Sequence, residues 1–157
     1  MKSPKQGTTV GVANRDEHNN DAVVTPEEFE LLLQQCRTRK YATVIATRLI
    51  ASVTKGMDPF IQSYWDNAAL RVLVPVLVAG HHGQATLHQL SIWTSDKYLR
   101  SSAEEILNAK ATKEAIELSK QYRAFRTIIP TDVVEYSFRI AHLAIIQTMA
   151  LTPGDAS

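Results

Sequence analysis

The chain has a single cysteine, Cys36, in 157 residues. No intrachain disulfide can form, and an extracellular disulfide scaffold is excluded. It also lacks a surplus of either charge: 17 Lys and Arg stand against 16 Asp and Glu, for a net charge of +1. A dedicated nucleic-acid binder normally shows a clear basic excess, so any such binding has to come from a local patch. Long apolar runs are missing too. The longest, near Leu73–Ala79, falls far short of the ~20 residues that a membrane-spanning helix needs. The first thirty residues contain no apolar stretch of the kind that heads a secretory signal. The expectation is a cytoplasmic protein that does not engage a membrane.

Nucleotide and nucleophile motifs are equally scarce. Thr54-Lys55-Gly56 has the wrong order for a phosphate loop, which needs Gly-x-x-x-x-Gly-Lys-Ser/Thr. No nucleophile elbow, no His-Glu-x-x-His and no solenoid-period repeat is found. Cys36 lies beside Arg37, Arg39 and Lys40, and nearby cations can activate a thiol; the plainer expectation is a half-buried helical cysteine. His81, His82 and His88 invite a metal reading, yet a zinc site needs three or four ligands at fixed spacing, and a solvated turn is the simpler account. Glu104, Glu105, Glu114 and Glu117 are expected to pair with Lys110, Lys113 and Lys120 or to face water. The expectation is therefore no catalytic residue, no metal and no cofactor.

With 45% apolar and 21% charged residues, the chain has the composition of one globular domain. Residues 1–24 are polar, aperiodic and charge-balanced, and are expected to form a disordered tail. A single helical domain follows over 25–152, with a flexible C-terminus at 153–157. Thr25-Pro26-Glu27-Glu28 is a capping box with proline at the first helical position. It starts a helix expected to reach about Lys55, with Gly56 as its left-handed stop. That length admits a kink or break near Arg37–Lys40. Leu31, Ala42, Ile45, Leu49, Ile50 and Val53 mark its core side.

Asp58-Pro59 opens a second helix expected to end at Gly80, with a kink or split near Arg71 caused by Pro75. The run Val72–Val78 is β-branched, but no second strand candidate lies near it, so it is assigned to this helix. Thr86 is placed as the cap of a short helix, Leu87 to Trp93. Thr94-Ser95-Asp96 and Ser102-Ala103-Glu104-Glu105 are taken as further starts. An amphipathic helix spans Thr112–Arg126, with Ala115, Ile116, Leu118, Tyr122 and Phe125 inward. After Ile128-Ile129-Pro130 a last helix runs to about Leu151, with Val134, Phe138, Ala141, Leu143, Ile145 and Met149 inward. The fold class is all-α, a compact bundle of five to seven helices.

Two surfaces stand out. In a continuous first helix, Arg37, Lys40, Arg48 and Lys55 fall within about 80° of one another opposite the apolar side. They would form a cationic ridge about 27 Å long, and no acid occurs from Leu31 to Met57. Such a ridge suits phosphate contact; the alternative is a solvated helix face. Lys120, Arg123 and Arg126, interleaved with Tyr122 and Phe125, could extend it by stacking, although the two aromatics fit a core better. Tyr64, Trp65 and Trp93 are candidate partner-binding residues, since aromatics with polar tips favour interfaces.

The wording Asp58-Pro59-Phe60, then Trp65-Asp66-Asn67-Ala68-Ala69, an apolar helix, Ala85-Thr86-Leu87, Tyr98-Leu99 and Tyr122-Arg123-Ala124-Phe125 resembles the all-α domain of type IV secretion coupling ATPases. The likeness covers about Tyr41 to Phe125. It implies a helical domain attached to a DNA-handling motor. This chain has no Walker A or Walker B strand, so the likeness implies a standalone domain without ATPase activity. The resulting expectation is a non-enzymatic helical domain acting within a larger assembly, associated with nucleic acid through the basic ridge, and engaging a protein partner or itself. Two alternatives remain: a repeating nucleic-acid-coating subunit of the viral-coat or CRISPR small-subunit type, and a helical adaptor that binds only protein.

Overall fold

The computed structural model describes residues 24–150. These form seven helices: α1 (Pro26–Leu33), α2 (Arg39–Thr54), α3 (Pro59–His82), α4 (Leu87–Ser95), α5 (Ser101–Lys110), α6 (Lys113–Ile128) and α7 (Thr131–Met149). No strand occurs among the described residues, and none of their helices is long and apolar enough to cross a membrane. The expected tail at 1–23 and the C-terminal stretch 151–157 lie outside the described residues. Val24, assigned to the tail, is in fact buried in the core.

The caps explain most of the boundaries. Thr25 Oγ1 accepts the Glu28 N–H at 3.1 Å, and the Glu28 carboxylate accepts the Thr25 N–H at 3.0 Å. Thr86 and Gln89 form a second capping box at α4. Asp58 accepts the Phe60 N–H at the start of α3, and Thr112 caps α6. Each cap satisfies N–H groups that have no partner inside the helix. Gly56 closes α2 with φ +92°, a conformation that side chains with a Cβ rarely adopt.

The break admitted near Arg37–Lys40 is present, one expected helix start is absent, and the inward residues of α7 differ in part from expectation. The first helix is two helices, because Thr38 takes an extended conformation (φ −128°, ψ 158°) and its side chain caps the Tyr41 N–H. A threonine offering its own hydrogen bond competes with helix continuation. The break resets the helical phase, so Leu31, expected inward, is exposed. The supposed start at Thr94-Ser95-Asp96 is absent, and the helix expected at Ser102 begins at Ser101 without the capping box. Asp96 ends α4 and accepts the Tyr98 N–H, and a turn leads through Arg100 (φ −61°, ψ −31°) into α5 without a side-chain cap. In α7, Leu143 is exposed and Met149 only half-buried, whereas Ile140 and Ala144 are buried.

Helix α3 runs unbroken through Pro75 and past Gly80 to His82. Every residue from Val72 to Gly80 is buried. A helix that is apolar all round belongs at the centre of a bundle, and α2, α5, α6 and α7 all pack against α3. Gly80 serves contact rather than termination: a Cβ there would meet Leu90 Cδ2 at 2.8 Å, so its absence lets α4 approach.

Leu73 is fully buried in this central segment. Leu73→Ala is expected to lose about 2–5 kcal/mol of unfolding free energy, read as a lower urea midpoint. Leu31→Ala, on the exposed side of α1, is expected to stay within about 0.5 kcal/mol of the parent.

Candidate functional site

The cationic ridge does not ride on one helix. Arg37 lies in the turn before α2, outside the helix, and Lys55 is the α2 C-cap with ψ 142°. Only Lys40 and Arg48 project from α2 itself. Both sit opposite Ala42, Ile45, Ala46, Leu49 and Ile50, the buried side. Lys40 is exposed and Arg48 half-buried, with exposed Tyr41 and Val44 beside them. None of these four cations is ion-paired with a described residue. The acid-free stretch nevertheless meets carboxylates from other helices. Glu114 accepts the Arg39 N–H at 3.0 Å, a favourable place for a negative charge at a helix start. Asp66 accepts the Thr54 hydroxyl at 2.6 Å at the other end.

The second basic cluster divides, with Arg126 committed inside the fold and Lys120 and Arg123 exposed. Arg126 is ion-paired with Glu104 and lies 4.8 Å over the Tyr122 ring, its Nε buried without a partner. Arg123 lies 3.8 Å from the same carboxylate but is mostly exposed. The structure thus brings Arg123 and Arg126 together on Glu104 and leaves Lys120 exposed. Tyr122 and Phe125 are core residues. The Tyr122 hydroxyl donates to the Arg100 carbonyl at 2.8 Å, and burial pushes its phenol above the ordinary range.

The aromatic candidates separate. Trp93 is buried, one of the residues that α4 contributes to the core, and offers no surface to a partner. Tyr64 is 54% exposed and meets Trp65 edge-on at 4.9 Å; Trp65 in turn meets Tyr136 at 4.4 Å. Phe60, 89% exposed, and Ile61, 52% exposed, complete this end of α3. A shallow depression of about 470 Å³ lies among Phe60, Ile61, Ser63, Tyr64 and Trp65. The sequence reading missed Phe60, Ile61 and Tyr136. A signal was present for Phe60, because Asp58 as cap fixes the phase and sets Phe60 and Tyr64 four apart on one face.

No reactive centre forms around the thiol. Cys36 is buried in the turn after α1, its Sγ donates to the Leu32 carbonyl at 3.4 Å, and burial pushes the thiol up to about 12. His81 Nδ1 donates to the Leu33 carbonyl at 3.1 Å, since a carbonyl can only accept. Burial, followed by the neighbouring His81 and Lys110 charges, lowers the His82 pKa. Among the described residues no three His, Cys, Asp or Glu side chains are grouped as a metal would need.

Arg100 and Glu135 form a two-bond charged contact. The Arg100 side chain is only 9% exposed and makes two hydrogen bonds to the Glu135 carboxylate, at 2.7 and 3.0 Å. Its guanidinium lies 3.9 Å from the Phe138 ring centroid. The Arg100 hydrogen bonds hold the Glu135 carboxyl below its ordinary value of 4.5. A lowered folded pKa means stability that is fully present above the ordinary value and is lost as pH falls through the folded one. Glu135→Gln is expected to cost about 1–3 kcal/mol at neutral pH by leaving a buried guanidinium underpaired. It should also flatten the acid limb of the stability–pH curve below about pH 4.5, measured by urea unfolding between neutral pH and pH 3.

With this geometry established, comparison with known proteins returns no match: no family model, curated protein or solved structure is significantly similar to the chain.

Proposed function

We propose that this chain is a non-enzymatic interaction domain that works within a larger assembly and grips a protein partner through the aromatic end of α3. The observation that carries this reading is the cluster of Phe60, Ile61 and Tyr64, exposed on one turn and backed by Trp65 and Tyr136. Rigid aromatic anchors clustered around a depression are the residues that dominate protein–protein contacts. The sequence resemblance to the coupling-ATPase helical domain motivates the assembly part of the reading, which assigns no motor activity to this chain.

Photo-crosslinking tests it. A benzoylphenylalanine at position 60, in the native cellular setting, is expected to give one discrete protein adduct that Tyr64→Ser suppresses. The same probe at exposed Lys120 should give none. Diffuse adducts at both positions, or none at either, would remove the reading.

A second reading is phosphate contact by Arg37, Lys40, Arg48 and Lys55, assisted by Lys120 and Arg123. It is favoured by the absence of any ion pair on the first four among the described residues. Arg126 is left out, because contact would require breaking its pair with Glu104. Arg48→Glu with Lys55→Glu is expected to weaken binding of mixed-sequence oligonucleotides uniformly and to flatten its salt dependence, followed by fluorescence anisotropy at two salt concentrations. Parent-like binding would make the ridge a solvated face. Stoichiometry that grows with oligonucleotide length would instead mark a coating subunit.

A further inference from the structure

Helices α2 and α6 both pack on α3 but leave a groove of about 440 Å³ between them. Its floor is Leu70, Val74 and Pro75 of α3, and Leu118 and Ala124 of α6 form one wall. Arg39 and Arg71 also line it. Neither guanidinium forms an ion pair with a described carboxylate. Arg39 donates to the Gln121 side chain at 2.9 Å, and Arg71 lies 5.3 Å from the Phe125 ring centroid. The Glu114 carboxylate accepts the Arg39 backbone N–H, so it offsets charge at the Arg39 end of the groove. Pro75 adds a further polar feature. It has no N–H to give, so the Arg71 carbonyl lacks its helical donor where both residues line the groove.

An apolar cleft of this size with a few convergent polar groups is the ordinary form of a small-molecule site. Two guanidiniums without carboxylate partners specify the charge of the occupant, since arginine forks match carboxylates. We infer that the groove between α2 and α6 binds a small amphipathic carboxylate. Its apolar body lies on Leu70, Val74 and Leu118, and its head group bonds to Arg71 and Arg39.

The probes are octanoate, decanoate and neutral decanol, titrated calorimetrically into the intact chain. Methyl NMR of Val74 and Leu118 locates the binding. Decanoate is expected to bind saturably, several-fold tighter than octanoate because two more methylenes are buried, and to shift those methyls. Arg39→Gln with Arg71→Gln should weaken decanoate at least tenfold and leave decanol unaffected. Circular dichroism checks the fold of that variant. Arg71→Gln alone, on an exposed side chain, should give a several-fold loss if the double variant does not fold. Decanol binding as tightly as decanoate, parent affinity in Arg71→Gln, or no saturable binding would each overturn the assignment.

Discussion

Everything in this bundle depends on the burial of one segment, the stretch of α3 from Val72 to Gly80. Every residue of it is buried, with Val74 and Pro75 flooring the groove between α2 and α6, so neighbours must pack around most of the helix. That requirement sets the amphipathic character of α2, α6 and α7, each of which turns one side inward and leaves the other to solvent. It also explains why Pro75 is tolerated. The missing backbone bond falls in a helix clamped by neighbours, where packing outweighs local propensity. The same helix leaves the core towards its N-terminus. Where the enclosure ends, Phe60, Ile61 and Tyr64 emerge. The core and the candidate interaction surface are two ends of one element.

Charge works differently. The near-zero balance could have meant free, scattered ions, but several are committed internally. Arg100 and Glu135 tie the turn before α5 to α7, and Glu104 joins α5 to Arg126 on α6. Thr54 with Asp66 ties the end of α2 to α3. Buried pairs of this kind give limited net stability, because desolvation offsets attraction, yet breaking one partner is costly. Their consequence here is subtractive: Arg126 is drawn away from the surface, while exposed cations remain on α2, α3, α5, α6 and α7.

The fold was legible from sequence wherever the signal was local. The box Thr25–Glu28 and the residues Asp58 and Thr86 each act within one turn and placed their helix starts, while the start at Thr112 was read from the amphipathic pattern that follows it. Signals that depend on neighbours were not. Thr38 lies within the break admitted near Arg37–Lys40, but the ridge was drawn on one continuous helix, so its four residues lost their common axis. Gly80 resembled a stop and proved to be a contact point with Leu90 on α4. Ser102 had the spacing of a capping box, but the helical turn through Arg100 had already supplied a start. Trp93 and Tyr64 are alike on paper, and only the packing of α4 buries one of them. Tyr136 joins the surface through its contact with Trp65, a pairing far apart in sequence.

The aromatic end of α3 is harder to explain by internal needs than any other exposed surface. Asp58 supplies the cap and Pro59 the first helical residue, so nothing in the start of the helix requires a phenyl ring at position 60. Phe60 gives the core almost nothing at 89% exposure. Single exposed apolar residues are common and need no explanation. Here Phe60 is followed by Ile61 on the same turn and by Tyr64 one turn on, with Trp65 and Tyr136 holding the base of the cluster at edge-to-face distances. Tyr64 is held against Trp65, so that ring has less conformational freedom to lose on association, which lowers the entropic cost of contact there. On the cationic side of α2, Lys40 and Arg48 are long side chains without an ion-pair partner among the described residues. Physical economy therefore favours contact at α3, with charge on α2 serving approach and orientation rather than grip.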